Sequence, residues 1–192
     1  MIGLRGLALG ALTGAAMLLG TAHASAQAAT AERASVGGGL RYGLEMNDGD
    51  GNPWGLGFGA RGGYTLDMGL YLGGAFEYYL GESESQQTLL GEMSVSVNIW
   101  QLMFEVGYDV GVGDSFVIRP KAGLGLASAN AEVCVLGACS SDSEMHALIA
   151  PGADFLFVGD GFWVGPEVRF DMVLSDPMAK ALVMGVSGGA SF

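Results

Sequence analysis

From residue 35 onward the chain alternates. Apolar side chains take every second position over stretches separated by clusters of Gly, Asp and Ser, a period of two that specifies strands. The pattern predicts eight strands, at residues 35–46, 55–66, 70–80, 94–112, 115–128, 145–158, 162–173 and 182–192. Each has at least the ~9 to 11 residues that a tilted membrane-crossing strand needs. The fourth lies in GEMSVSVNIWQLMFEVGYDVGV, which is too long for one crossing. Either it runs on beyond a membrane as part of a hairpin or it contains a further boundary.

Charge keeps to one parity of these strands. In FVIRPKAGLGLA, Arg119 and Lys121 alternate with Phe116, Ile118, Pro120, Ala122, Leu124 and Leu126. In FWVGPEVRFDMVL, Glu167, Arg169 and Asp171 alternate with Val164, Pro166, Val168, Phe170 and Met172. Glu105 and Asp109, Glu77, and Arg61 are set apart from their apolar neighbours in the same way. A one-residue slip would turn every one of these side chains to the other face, so the register is strongly specified. Two architectures alternate like this. A soluble sandwich shares its apolar face as a core; a membrane barrel turns that face to lipid and lines its lumen with the polar one. Glycine separates them, because Gly37, Gly39, Gly57, Gly59, Gly73, Gly107, Gly111, Gly123, Gly125, Gly165, Gly185 and Gly189 crowd onto the charged parity. A narrow interior needs such small residues, whereas a face in open water does not.

The links between strands point the same way. LDMG, VGD and GDG, with Asp67, Asp114 and Asp160, read as tight hairpin turns. MNDGDGNPW, GESESQQ, SANAEVCVLGACSSDSE and SDPMAKA, which alternate with them, are longer and polar. Short turns at one end and long loops at the other are the outer-membrane arrangement. Both termini are then expected in the periplasm and the long loops outside the cell. Outward aromatics sort into two girdles, Tyr42, Phe58, Tyr78, Phe104 and Phe170 near the loops and Tyr64, Phe116, Phe157, Phe162 and Phe192 near the turns.

The predicted fold is all-β, an eight-stranded antiparallel up-and-down transmembrane β-barrel. Its lumen would hold Arg41, Arg61, Arg119, Lys121 and Arg169 against Glu45, Glu77, Glu105, Asp109, Asp154, Glu167 and Asp171. Eight strands enclose a space that side chains can fill, so these charges are expected to pair into a largely sealed plug. A porin-like conduit for ions or small solutes is the alternative, though aqueous channels use ~16 or more strands. A lipocalin-like soluble barrel is a further reading, and it would partition into buffer without detergent.

Composition sharpens the picture. Glycine is 34 of 192 residues and half the chain is hydrophobic, with a mean hydropathy of +0.39. That much glycine argues against long helices. At the start, Arg5, the apolar stretch from Gly6 to Gly20 and the small-residue string TAHASAQA read as a signal peptide. The expected organisation is a cleaved signal over 1–26, a short periplasmic segment over 27–34 and the barrel over 35–192. Without Arg5, seven basic residues face twenty acidic ones, a net charge of −13 that disfavours nucleic acid as a partner. Cys134 and Cys139, close together in an exported chain, read as a disulfide that staples a loop.

These residues resemble the small OmpA/OmpX-type outer-membrane β-barrels over essentially all of 35–192. The most specific element is LVMGVSGGASF, an alternating strand ending in Phe192, which looks like the signal read by the outer-membrane insertion machinery. The resemblance implies a Gram-negative envelope protein whose partners are membrane lipid and that machinery. Nothing follows Phe192 that resembles the peptidoglycan-binding domain of outer-membrane protein A, so wall anchoring is not implied. Architecture alone assigns no function.

Catalysis has one foothold. His146 in EMHALIAP stands near Ser143 and Glu144, but a Ser-His-acid set needs hydrogen-bond contact that sequence proximity does not supply. Leu148 stands where the H-x-S spacing of lipid A deacylase barrels would place serine. A lipid-modifying enzyme is therefore only a third reading, and a non-enzyme without cofactor or metal is expected. The links carry Asp48, Asp50, Glu82, Glu84, Glu92, Glu132, Asp142, Glu144 and Asp176 with Lys180 as their one base. DGDGN has the carboxylate spacing of a calcium loop but lacks its downstream Glu and flanking helices, so solvated acidic loops are expected. The role expected is structural or surface-interactive, with no particular surface ligand indicated.

Overall fold

The computed structural model describes residues 33–47, 52–88, 91–135 and 138–192, with side chains described for all of these except 82–88, 91–93 and 135. The expected signal over 1–26, most of the 27–34 segment, and Asp48 and Asp50 of DGDGN lie outside the described residues.

Among the described residues eight strands build the fold: β1 Arg33–Glu45, β2 Gly55–Thr65, β3 Leu70–Thr88, β4 Gly91–Tyr108, β5 Phe116–Val135, β6 Ala138–Gly159, β7 Phe162–Val173 and β8 Ala179–Ser191. Beyond Asp109, β4 resumes for Val110–Gly111 against β5. Each strand pairs antiparallel with its chain neighbours, and β1 pairs β8 from Ser35↔Ser191 to Glu45↔Ala181, so the sheet closes on itself. The eight-stranded up-and-down barrel is as expected.

Parity turns the usual distribution inside out. Leu40, Leu102, Leu124 and Val186 stand 64, 55, 58 and 56% exposed, whereas Arg41, Glu77, Arg169 and Asp171 are 2, 0, 2 and 0% exposed. A belt of exposed aliphatic and aromatic side chains around buried charge has its low-energy setting in hydrocarbon.

The tight turns are as short as LDMG, VGD and GDG suggest. Gly69, Gly113 and Gly161 occupy them with φ of 84°, 76° and 75°, a region L side chains avoid. At the first, the Gly69 N–H donates to the Leu66 carbonyl at 2.7 Å and the Leu66 N–H to the Leu70 carbonyl at 2.8 Å.

The long links differ from expectation. β3 and β4 go on pairing past a register shift between Leu80 and Ser83, as far as Thr88↔Gly91, and β5 and β6 stay paired to Val135↔Ala138. GESESQQ and, apart from 136–137, which lie outside the described residues, SANAEVCVLGACSSDSE, both expected as loops, are thus strand continuations. Together β3 to β6 raise a four-stranded arm beyond the barrel rim, which settles the overlong fourth segment as part of a hairpin. Outside hydrocarbon the outer face of an arm no longer needs apolar side chains, so a sequence read for an apolar lipid face meets loop-like Ser, Asn and Glu on that parity. Cys134 and Cys139 form a disulfide between facing positions near the tip of that arm.

Candidate functional site

Every second residue of each strand points inward, and near mid-barrel the inward positions carry charge. Arg41 on β1 brings Nε to 2.9 Å from Glu77 on β3 and 2.5 Å from Glu167 on β7. Arg61 on β2 meets Asp154 on β6 at 3.1 Å and also pairs with Glu167. Lys121 on β5 places Nζ 2.9 Å from Glu105, 3.0 Å from Asp154 and 3.6 Å from Glu167. Arg169 forks onto both oxygens of Glu77, at 2.7 and 2.5 Å, and reaches Asp171 at 2.5 and 3.0 Å. These nine groups form one connected network drawing on seven of the eight strands.

Nearer the turns Arg119 makes a two-pronged pair with Asp109, at 2.5 and 2.9 Å, and its guanidinium carbon lies 3.8 Å from the Tyr71 ring centroid. Five cations thus meet six anions. A charge withdrawn from water costs several kcal/mol unless it is paired and hydrogen-bonded, so the set is held together by the penalty for breaking it. Glu45 stands apart from this network, half-buried at the loop-end rim, where its backbone N–H donates to Asn52 Oδ1 at 3.2 Å.

Glycine makes room for these side chains. A Cβ at Gly59 would stand 3.0 Å from Arg41 Nη1 and 3.0 Å from Glu77 Cγ; at Gly185 it would stand 2.8 Å from Arg41 Cγ. At these positions the side chains beside the glycine crowd the space of a Cβ, whereas at Gly125, Gly165 and Gly189 the atoms nearest a Cβ would be backbone of the neighbouring strand.

Apolar layers enclose the charges. Toward the loops lie Trp54, Ile99, Met103, Leu148, Val173 and Val183, with Trp54 packed edge-on against Tyr79 at 5.4 Å between ring centroids. Toward the turns lie Val117, Leu156 and Trp163. A small cavity opens below, bordered by Ser35, Thr65, Asp109, Arg119 and Trp163.

Neutral members of the interior escaped the sequence reading. The Tyr79 hydroxyl donates to Glu77 at 2.7 Å and Gln101 Nε2 donates to Asp171 at 3.1 Å. Both share the parity of Glu77 and Glu105, a signal that charge alone concealed. Trp54 lies in a link, where alternation says nothing about direction.

At the loop end His146 Nε2 is 3.2 Å from Glu144 Oε2, and the Glu144 side chain is 73% exposed. Ser143 is an odd number of residues from His146 and so takes the opposite sheet face, paired with Asn130. The hydroxyl and the imidazole are not brought together. Glu132 and Asp142 are exposed, and Phe192, also exposed, donates its N–H to the Ala34 carbonyl at 2.9 Å.

Known proteins share this architecture. The chain is similar to Ail, the attachment invasion locus protein of Yersinia pestis, crystallised with the heparin analogue sucrose octasulfate: TM-score 0.61 at 15% identity, over 84% of this chain and 99% of that one. A further Ail crystal structure gives a TM-score of 0.58 at 13% identity, over 83% of this chain and 98% of that one. The N-terminal β-barrel domain of Pseudomonas aeruginosa OprF gives 0.49 at 16% identity, over 84% and 97%. At such identities the likeness to Ail is one of fold. No curated protein sequence matches the chain. The model of the outer membrane protein β-barrel domain matches residues 14–187, and the chain belongs to that family.

Proposed function

We propose that the protein is a non-conducting outer-membrane barrel whose purpose is to hold a rigid sheet arm and acidic links at the cell surface, where they contact other molecules. One observation carries this reading: the buried network that runs from Asp171 through Arg169, Glu77, Arg41 and Glu167 to Lys121 and Glu105, leaving charge paired with charge across the lumen. An ion in transit would have to break several of these pairs at once. Of the twelve charges from Arg41 to Asp171 that the sequence assigns to the lumen, eleven act, on this reading, as filler and fastening, and Glu45 as a rim residue.

In this reading residues 1–26 are removed on export, 27–34 lead into the barrel, and the termini and short turns face the periplasm. The outer-membrane insertion machinery would read β8 and Phe192. Catalysis is not part of the reading, because the neighbouring Ser143 lies on the opposite sheet face to His146, whose side chain meets Glu144.

Ail holds a sulfated sugar in its crystal structure, but the loop end of this chain has the opposite character to a polyanion site. Glu132, Asp142, Glu144 and Asp176 are exposed there, with Lys180, near the start of β8, the one exposed base at that end among the described residues. Coulomb repulsion would weaken a sulfated ligand and favour a cationic one.

Two measurements test the proposal. Lipid vesicles carrying the refolded protein should release trapped potassium no faster than protein-free vesicles, and release at porin-like rates would favour the conduit instead. With Cys134 and Cys139 joined, an Asp142→Cys variant should react with a membrane-impermeant maleimide on intact cells; labelling only after lysis would reverse the orientation.

A further inference from the structure

The arm reverses the polarity of the strands that build it. Within the barrel, β4 points Leu102, Phe104 and Val106 outward and Gln101 and Glu105 inward. Past Trp100 the outward positions become Asn98, Ser96 and Ser94, while the inward ones become Ile99, Val97 and Val95. β5 changes at the same height. Its outward Leu124 and Leu126 give way first to Ser128, which is buried, and then to Asn130 and the exposed Glu132, and its inward Lys121 to Ala127, Ala129, Ala131 and Val133. Register between the two strands is unbroken from Met93↔Val135 to Gly107↔Lys121, so Val95 faces Val133, Val97 faces Ala131 and Ile99 faces Ala129 on one inward surface.

The outward change has a plain cause: above hydrocarbon the outer face meets water. The inward change does not. A sheet wetted on both sides would carry Ser and Asn on both, yet the inward side presents a stripe of Val and Ala, with Ala129 and Ala131 exposed. At its base Ile99 joins the apolar layer under Trp54. β6 edges the stripe with acid, since Asp142 stands opposite Ala131 and Glu144 opposite Ala129, both exposed and on the same face.

We infer that this inward face is a docking surface for a cationic, amphipathic polypeptide segment, whose apolar side chains cover Val95, Val97, Ala131 and Val133 and whose basic groups meet Asp142 and Glu144. Charge selects this occupant. A second copy would bring the same acidic row and a chain of net charge −12, and anionic lipid headgroups would be repelled likewise. The inference rests on the proposed orientation, in which the arm lies outside the cell.

The test uses full-length protein in phosphatidylcholine nanodiscs and a ten-residue peptide alternating lysine and valine, with lysine–serine and glutamate–valine peptides as controls. Valine methyl resonances of the arm should shift with the lysine–valine peptide and with neither control. Affinity should fall about tenfold in Asp142→Asn/Glu144→Gln and again in Val95→Ser/Val97→Ser. Ala131→Arg alters an exposed position and should weaken binding equally, which keeps the test decisive if the valine variant loses its heat-modifiable mobility. Absence of lysine–valine binding, equal binding of lysine–serine, indifference to both acid and Ala131 variants, or concentration-dependent self-association would overturn the inference. If the vesicles stay sealed and position 142 labels from outside, such a failure leaves the reading beneath it intact.

Discussion

Arg41 and Glu167 touch across an intervening strand. They belong to β1 and β7, with β8 between them, and both register with Gly185, over which Nε and Oε1 approach to 2.5 Å. The pair exists because the residue between its members has no side chain.

Gly185→Leu should therefore act as a wedge. Overfilling a packed interior costs about 1–3 kcal/mol, and here the added atoms also part a buried ion pair. Urea unfolding in lipid, followed by tryptophan fluorescence, should show that loss. Gly74→Ala is the matched control, since its new Cβ would meet only the Met103 carbonyl oxygen at 3.5 Å, and it should change little.

Removing the cation itself is the harsher experiment. Arg41→Met leaves Glu77 and Glu167 short of a partner inside the barrel and should cost about 3–5 kcal/mol. Adding Glu167→Gln removes one stranded charge, so the double variant should be more stable than the sum of the single effects predicts. Strict additivity would mean that the two residues do not interact energetically.

Much of this was readable from residue order. Period two gave the strands, and the parity of Arg61, Glu105 and Arg169 gave the direction of each face, because a membrane barrel has only one low-energy way to dispose of charge. What escaped follows from the same physics. Gln101 and Tyr79 carry no charge to mark their face, and Trp54 enters the interior from a link without periodicity. The arm reads as loops in the sequence because its strands leave hydrocarbon and reverse polarity at Trp100 and Ala127, so the rule that identifies a crossing strand ceases to apply there. Partner choice within the lumen depends on side-chain reach across several strands, as between Arg169 and Glu77, which no local pattern records.

Opening the disulfide should affect the arm and spare the barrel. Cys134 and Cys139 join facing residues above the rim, remote from the ion network, so a Cys134→Ser/Cys139→Ser variant should keep its heat-modifiable mobility. Amides of residues 130–135 and 138–145 should lose hydrogen-exchange protection in that variant, because the end of the arm is then free to fray. Loss of the folded band on a gel would show that the staple supports the whole molecule.

The seam between β6 and β7 should exchange first among the seams of the barrel. Its ladder lapses between Ile149↔Met172 and Gly152↔Arg169, and again between Asp154↔Glu167 and Phe157↔Val164; Pro151 and Pro166, which have no N–H to donate, fall in these gaps. β7 and β8, by contrast, pair without a break from Phe162↔Ala190 to Val173↔Ala179. Native-state hydrogen exchange should find β7 amides facing β6 less protected than those facing β8, and uniform protection would contradict the expectation.

The ion-filled lumen meets its most direct trial in single-channel recording across a planar bilayer. Purified wild-type barrel in molar potassium chloride should leave the baseline unchanged, without stepwise openings, across the accessible voltage range. Reproducible unitary current steps from heat-modifiable, fully folded protein would show that ions pass where Arg41, Glu77 and Glu167 are said to close the way.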